Sequence, residues 1–177
     1  SPELLLKTDG LSFTTMALAG TKKIESNQPP DWTDKEIEEQ EYVLDDIVTV
    51  LQKITAVVKT SKTFTQRSGS IAHLRTDITG VLKNRKATLE TISKKLHPTP
   101  AVCGTPQNIA RDFILANEGY QRDYYTGYLG PIHKDGKDSQ LYVNLRCIKI
   151  SDSKAYLYAG GGITQGSHAE EEWIETK

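Results

Sequence analysis

The chain has 177 residues, of which 37% are hydrophobic and 25% charged, as expected for one globular domain with a sizeable core. Its 22 Lys and Arg against 23 Asp and Glu leave a net charge of −1, which excludes the strongly basic surface that nucleic acid or an anionic membrane would require. No apolar run is long enough to cross a membrane, and the first residues lack a signal-peptide pattern. Two cysteines, Cys103 and Cys147, are too few for a disulfide framework and indicate a reducing compartment, so we expect a cytoplasmic protein.

The N-terminal residues predict a β-hairpin. Residues 3–7 and 11–19 are its strands, and the dipeptide Asp9-Gly10 between them suits a tight turn. Residues 22–32 are polar, include Pro29-Pro30, and predict a loop.

A long helix is predicted to follow this loop. Thr33 and Glu36 form the capping-box pattern of a helix N-terminus, and apolar residues recur at helical spacing through about residue 58. The first turns also carry Glu38, Glu39 and Glu41. Acidic residues are stabilised near a helix N-terminus, so a solvated acidic face explains these glutamates as readily as a binding site does.

Residues 60–96 predict three further elements. Residues 60–70 are polar and indicate an irregular crossing or an edge strand, and residues 71–78, which include His73, alternate as a strand. Residues 85–96 predict a helix.

The stretch 96–132 contains the most distinctive pattern of the chain. Prolines make residues 97–100 rigid, and a helix with apolar Ile109, Phe113 and Ile114 is predicted to end at Gly119. A segment rich in hydrogen-bonding side chains follows, with Tyr120, Arg122, Tyr124, Tyr125 and Tyr128. This pattern predicts either one wall of a pocket for a small polar ligand or a tyrosine-rich loop packed on the core of the protein.

The last third predicts strands and one helix. A turn at Asp135-Gly136 precedes a strand over 141–150, which places Arg146 in mid-strand, where a buried cation needs a partner. A second strand covers 154–159, and a helix covers 169–177. The glycines at 160–162 lack the G-x-G-x-x-G spacing of a dinucleotide-binding loop.

Several motifs, in family order, resemble those of the chorismate-utilising enzymes, which include isochorismate, salicylate, anthranilate and aminodeoxychorismate synthases. The motifs are SPELLL, ALAGT, KEIEEQEYV, HL-x-T, HPTPAVCGTP, E-x3-R-x2-Y-x-G, GGGI and EEEWIET. The resemblance covers essentially all 177 residues. It implies an α+β fold of antiparallel sheets layered with helices, the chorismate-binding (aminodeoxychorismate synthase-like) fold. Family members are twice this long, so residues 1–177 are expected to be the C-terminal part of the catalytic domain, truncated at the N-terminus.

The resemblance also implies a role for particular residues. Glu3 is the general acid, and a bound Mg²⁺ is held by the ligands Glu39 and Glu172 with Glu36 and Glu175 as further candidates. The substrate chorismate is bound by Gly20, Thr21, His73, Ala101, Tyr125, Arg146 and Gly162. Gln40 departs from the family, in which this position is often His. The family's general base is a lysine outside these residues, so the chain alone is expected to be inactive.

Within this family, three features of the sequence resemble those of the isochorismate synthases. Ala101 occupies a position that is usually Thr in the other members, Trp173 stands where they have Tyr or Phe, and the Arg-Asn-Asp run of the ammonia-using enzymes is missing. The implied reaction adds water at C2 of chorismate and removes the C4 hydroxyl, for menaquinone or siderophore biosynthesis. Salicylate synthase, component I of anthranilate or aminodeoxychorismate synthase, and a non-catalytic binding domain are the alternatives. We expect a monomer or a weak homodimer.

Overall fold

The computed structural model describes residues 3–24, 30–83, 89–133 and 138–176. The turn predicted at Asp135-Gly136 and parts of the predicted loop 22–32 and helix 85–96 lie outside these residues. The elements in chain order are β1 (Glu3–Asp9), β2 (Ser12–Lys23), α1 (Asp34–Ile54), β3 (Thr55–Thr60), β4 (Phe64–Ser68), β5 (Ile71–Leu82), α2 (Leu89–Leu96), α3 (Pro100–Cys103), α4 (Gln107–Asn117), β6 (Tyr128–Leu129), β7 (Ser139–Val143), β8 (Cys147–Ser151), β9 (Lys154–Tyr158) and α5 (Ala169–Glu175).

Seven of the described strands form one antiparallel sheet, in which six follow the order β3-β5-β2-β1-β7-β6 and the seventh, β4, pairs with β5. The strands β3 and β4 pair with successive halves of β5, so together they cover one edge of that long strand. The predicted hairpin of β1 and β2 lies in the middle of the sheet, with Lys7 opposite Thr14. The α+β fold with antiparallel strands predicted from the sequence is thereby confirmed.

Helix α1 packs across this sheet and encloses the main core. Its apolar positions Val43, Ile47 and Leu51 are buried against strand residues such as Phe13 and Ile78. Burial of this many apolar side chains on one face is the main stabilising contribution to the layered arrangement.

The end of α1 differs from the prediction. The helix ends at Ile54, and residues 55–60, which include Val58, form β3. Ile54 and Val58 are four residues apart and therefore fit the helical period, but Thr55, Val57 and Val58 are β-branched and favour a strand. The predicted helix through about residue 58 was therefore too long by one turn.

The strand predicted over residues 141–150 is broken into two. β7 ends at Val143 in the large sheet, and β8 begins at Cys147 in a separate hairpin with β9. Arg146 lies between them with φ at 46°, a left-handed conformation that interrupts a strand. The prediction that Arg146 lies in mid-strand is therefore wrong, because apolar alternation continued through a backbone turn.

Several apolar side chains lie outside the core. Every residue of α4, all of them described, is at least partly exposed, including Ile109 and Phe113, which the sequence pattern suggested as an apolar face. Ile150 and Leu157 of the β8–β9 hairpin are also exposed. No helix among the described residues is long and apolar enough to cross a membrane.

Candidate active site

Glu3 and Arg146 meet at the end of the strand pair β1–β7. Glu3 lies opposite Val143, and the Nη2 atom of Arg146 is 3.6 Å from the Oε1 atom of Glu3. Burial raises the pKa of Glu3 above its usual value although the positive charge of Arg146 acts in the opposite direction. A carboxylic acid with a raised pKa keeps its proton to higher pH, as a general acid requires.

His73 of β5 lies close enough to Arg146 to be affected by its positive charge. Its Nδ1 atom is 3.0 Å from the Oγ1 atom of Thr21, and the side chain is buried. Burial and the positive charge of Arg146 lower the pKa of His73, against the opposing effect of a hydrogen bond to the Gly20 backbone. The imidazole is therefore held in its neutral form, which can donate one hydrogen bond and accept another.

The turn at Gly20 lies directly against the first turn of α1. Gly20 has a φ of 69° at a register shift between β2 and β5. A β-carbon at this position would be 3.0 Å from both the Cβ atom and the carbonyl oxygen of Glu36. Glycine is required here both for its conformation and for this close approach, so Gly20 and Thr21 bring strand backbone beside the acidic start of the helix.

The predicted capping box at the start of α1 is present. Glu36 Oε2 accepts hydrogen bonds from the backbone nitrogen of Thr33 at 2.9 Å and from its hydroxyl at 2.5 Å. Lys22 Nζ is 3.4 Å from the same oxygen. Desolvation acts to raise the pKa of Glu36, but the hydrogen bonds from Thr33 and the charge of Lys22 outweigh it and lower the pKa. Glu36 therefore caps the helix as a carboxylate.

Glu39 lies one turn closer to the C-terminus of α1 and contacts the glycine-rich segment 160–166, called the glycine turn below. A β-carbon on Gly162 would be 2.5 Å from the Oε1 atom of Glu39. The next residue, Gln40, is fully buried and donates to the Thr76 hydroxyl of β5 at 2.8 Å. Gln40 thus anchors the helix to the sheet, while Glu39 is directed to the turn that precedes α5.

Glu172, in the first turn of α5, approaches the start of α1. Lys35 Nζ donates to its Oε1 atom at 2.6 Å, and both side chains are largely enclosed. Lys35 and Glu39 are four residues apart, which places them as neighbours on one face of α1. The predicted ligands Glu39 and Glu172 are therefore brought to the same region, whereas the side chain of Glu175 lies outside the described residues.

The oxygen donors in this region suit a hard divalent cation. Carboxylates contributed by one or two residues, together with substrate oxygens, are the usual environment of Mg²⁺ in proteins. The Lys35 ammonium beside Glu172 shows that a cation fits there, and Gly162 leaves room for the Glu39 carboxylate. Among the described residues, however, no group of three or more His, Cys, Asp or Glu side chains forms a metal cluster by itself.

Tyr125 is buried in the tyrosine-rich segment that the sequence singled out. Its ring stacks on Tyr158 of β9 with centroids 5.2 Å apart, and the Arg122 guanidinium lies 5.7 Å from its centroid. Arg122 is held by Glu118, whose Oε2 atom accepts from Nε at 2.7 Å. A β-carbon on Gly160 would be 2.8 Å from the Tyr125 hydroxyl. The motif therefore forms a rigid wall that faces the glycine turn.

Ala101 of α3 lies close to Glu3 across a small cavity of about 30 Å³. Thr99 and Val43 also line this cavity. Ala101 therefore lines the same cavity as the candidate acid Glu3, which agrees with the expectation that Ala101 contacts the substrate.

Two lysines and one tyrosine in this region were missed by the sequence analysis. Lys22 and Lys35 provide positive charge beside Glu36 and Glu172, and Tyr158 supports Tyr125. The spacing of Lys35 and Glu39, one helical turn apart, was the only local signal that could have indicated the role of Lys35.

Comparisons with known proteins agree with this arrangement. A family model described as "Chorismate binding enzyme" matches residues 1–177. The chain is 32% identical to the isochorismate synthase DhbC of Bacillus subtilis, covering 99% of this chain and 46% of that protein. It is 36% identical to the isochorismate synthase MenF of Escherichia coli over 99% of this chain and 42% of that protein.

Solved structures show the same relationship. The menaquinone-specific isochorismate synthase MenF from Escherichia coli superposes with a TM-score of 0.85 and 33% identity, over 98% of this chain and 42% of that one. Anthranilate synthase component I from Streptococcus pneumoniae has a TM-score of 0.83 and 25% identity, over 98% of this chain and 40% of that one. The chain thus spans less than half the length of these relatives. Since the family model covers it from end to end and its motifs meet in one region of the fold, the chain belongs to the chorismate-binding enzyme family.

Proposed function

We propose that the protein is an isochorismate synthase, which converts chorismate to isochorismate by adding water at C2 and releasing the C4 hydroxyl. The observation that carries this proposal is the pair formed by Glu3, whose pKa is raised by burial, and Arg146 at 3.6 Å. A proton donor beside a fixed cation suits a reaction in which a hydroxyl leaves an anionic substrate. The isochorismate synthases DhbC and MenF among the relatives support the same assignment.

Each group has a role in this reaction. Glu3 gives its proton to the departing C4 hydroxyl, which leaves as water while the ring double bonds shift. A second water adds at C2 and loses one proton to the general base, which the family resemblance assigns to a lysine outside residues 1–177. Arg146, Tyr125 and the backbone at Gly162 bind the enolpyruvyl carboxylate, because a guanidinium, a hydroxyl and backbone N–H groups are good donors to an anion. The Arg146 side chain is 44% exposed and not buried as the sequence pattern suggested. Neutral His73, together with Gly20, Thr21 and Ala101, lines the substrate.

Magnesium is proposed to bind at Glu39 and Glu172, with Glu36 and Glu175 as additional carboxylates nearby. When bound, the ion neutralises the ring carboxylate of chorismate, which the acidic side chains alone would repel. Glu36 already accepts hydrogen bonds from Thr33, which supports an indirect role for it.

The test is chorismate turnover with separation of the products by chromatography. It should be run on the 177-residue chain and on the longest natural chain that contains it, with and without Mg²⁺. Isochorismate as the product supports the proposal. Salicylate, anthranilate or aminodeoxychorismate would assign the protein to another member of the family, and chorismate binding without turnover in either chain would indicate a non-catalytic domain.

We also propose a cellular compartment and an oligomeric state for the enzyme. Two free thiols, Cys103 and Cys147, support a reducing cytoplasm, and we propose a monomer or weak homodimer. Cell fractionation and sedimentation velocity would test these two proposals.

A further inference from the structure

The contact between Lys35 and Glu172 links two helices across 137 positions of the sequence. Lys35 Nζ lies 2.6 Å from Glu172 Oε1, and the two side chains are only 21% and 8% exposed. By contrast, Lys94 and Glu90, which are also 2.6 Å apart, are 66% and 71% exposed. Water screens the enclosed pair less, so its electrostatic interaction is the stronger of the two.

The acceptor of this bond is one of the two carboxylates proposed to bind Mg²⁺. A divalent cation binds carboxylate oxygens directly, and an ammonium 2.6 Å from one oxygen of Glu172 would repel it. Lys35 also shares a face of α1 with Glu39. Its side-chain stem packs near the glycine turn, where a β-carbon on Gly166 would be 3.8 Å from the Lys35 Cγ atom. The ammonium therefore lies beside one proposed ligand, Glu172, and on the same face of α1 as the other, Glu39.

We propose that Lys35 is an internal competitor of the divalent ion. Its ammonium neutralises Glu172 when no ion is bound, holding α5 against α1, and it must be displaced when the ion binds. Lys35 thereby weakens metal affinity and stabilises the two helix ends without metal. This inference rests on the proposed metal site at Glu39 and Glu172.

The experiment measures Mg²⁺ binding by isothermal titration and the thermal unfolding midpoint in EDTA. Lys35→Met should bind Mg²⁺ about three- to tenfold more tightly, as expected for loss of one partly enclosed ion pair, and should unfold at lower temperature in EDTA. Lys35→Arg keeps the charge and should bind Mg²⁺ like the wild type. Lys94→Met, which removes an exposed ion pair of the same length, should change neither quantity.

Two results would overturn the inference. Unchanged or weaker Mg²⁺ binding in Lys35→Met would show that Lys35 supports the site and does not compete for it. Equal behaviour of Lys35→Arg and Lys35→Met would show that charge is not the cause. If Lys35→Met does not fold, Lys35→Gln, which keeps a hydrogen-bond donor without the charge, is judged by the same criterion.

The outcomes also separate this inference from the proposed metal site. If the wild type binds Mg²⁺ and the affinity of Lys35→Met is the same, only the competition is rejected. If neither protein binds Mg²⁺, the metal site is rejected as well, and the inference fails with it. If only Lys35→Met binds, the competition is stronger than expected and both proposals stand.

Discussion

Gly162 meets the carboxylate of Glu39 so closely that a β-carbon on the glycine would lie 2.5 Å from Oε1 and 3.2 Å from Cδ. The glycine turn and the first turns of α1 are therefore fitted to each other at the proposed metal ligand. Because the group in contact is the far end of a flexible side chain, Glu39 can move away from an added methyl group at little cost to the fold.

Gly162→Ala should consequently weaken Mg²⁺ binding while changing stability little. The methyl group would displace the Glu39 carboxylate, and loss of one good ligand position should reduce Mg²⁺ affinity by about tenfold or more. Isothermal titration and urea unfolding measure the two effects. Gly166→Ala is the matched control, since a β-carbon there makes only an ordinary contact of 3.8 Å with Lys35. Equal Mg²⁺ affinity in both variants would argue against Glu39 as a ligand.

Gly20→Ala should destabilise the fold. Its φ of 69° is strained for alanine, and its β-carbon would press on the Glu36 backbone at 3.0 Å, so we expect a loss of about 1–3 kcal/mol in the free energy of unfolding. Gly10→Ala is the control, because Gly10 has a φ of 61° with nothing within 4 Å. Urea unfolding should show the larger loss for Gly20→Ala, and equal losses would mean that backbone strain alone matters.

Glu3→Gln should remove activity without unfolding the protein. Glutamine has nearly the same shape but donates no proton to the leaving hydroxyl, so kcat should fall by about 10²–10⁴-fold. The assay is isochorismate formation by the longest natural chain that contains these residues, since the 177-residue chain alone is expected to be inactive, and Glu90→Gln, an exposed substitution, is the control. A kcat close to that of the wild type would exclude Glu3 as the acid.

The raised pKa of Glu3 also predicts a pH dependence of stability. The folded protein retains the Glu3 proton to higher pH than the unfolded chain, so this contribution to stability is fully present below the ordinary glutamate pKa of 4.5 and is lost as pH rises through the folded pKa. As pH rises from the pKa of Glu3 in the unfolded chain to its pKa in the folded protein, Glu3→Gln should therefore lose less stability than the wild type. Urea unfolding across this range measures the difference. Parallel curves for the two proteins would contradict the raised pKa.

Glu172→Ala should abolish Mg²⁺ binding in the presence of chorismate. The substitution removes one of two proposed carboxylate ligands and leaves the Lys35 ammonium without this partner, so both the loss of a ligand and the gain of positive charge oppose the ion. Isothermal titration with Mg²⁺ and chorismate gives the answer, with Glu90→Ala as the exposed control. Unchanged Mg²⁺ binding would place the metal elsewhere.

Local patterns predicted those features that depend on a few neighbouring residues. The start of α1 followed from Thr33 and Glu36, because a capping box forms between residues three apart. The break at Arg146 could not be predicted in this way. The backbone of Asn144 accepts from Thr126 at 2.9 Å and donates to Gly127 at 2.7 Å, so residues distant in the sequence position the chain just before the left-handed Arg146, while the alternation of apolar residues continues.

In the candidate site, too, motifs predicted some residues, whereas others depend on contacts between distant parts of the chain. Glu3, Glu39 and Glu172 were found because each lies in a motif that resembles the family. The ion pair of Lys35 with Glu172 joins residues 137 positions apart, and the sequence around each residue does not indicate its partner. Pairings between distant helices depend on how the helices pack, which single-sequence patterns do not encode.

The register shift between Leu4 and Leu6 in β1 decides where the proposed acid points. Glu3 lies opposite Val143 and Leu6 lies opposite Leu141, and Val143 and Leu141 both belong to the core. In a regular strand, residues three apart face opposite sides of the sheet, so the extra residue of this bulge turns Glu3 to the same side as Leu6. A regular β1 that kept Leu5 in the ladder would present an intact glutamate to the opposite side of the sheet, which means that the bulge between Leu4 and Leu6 is as necessary for the proposed catalysis as the carboxyl group.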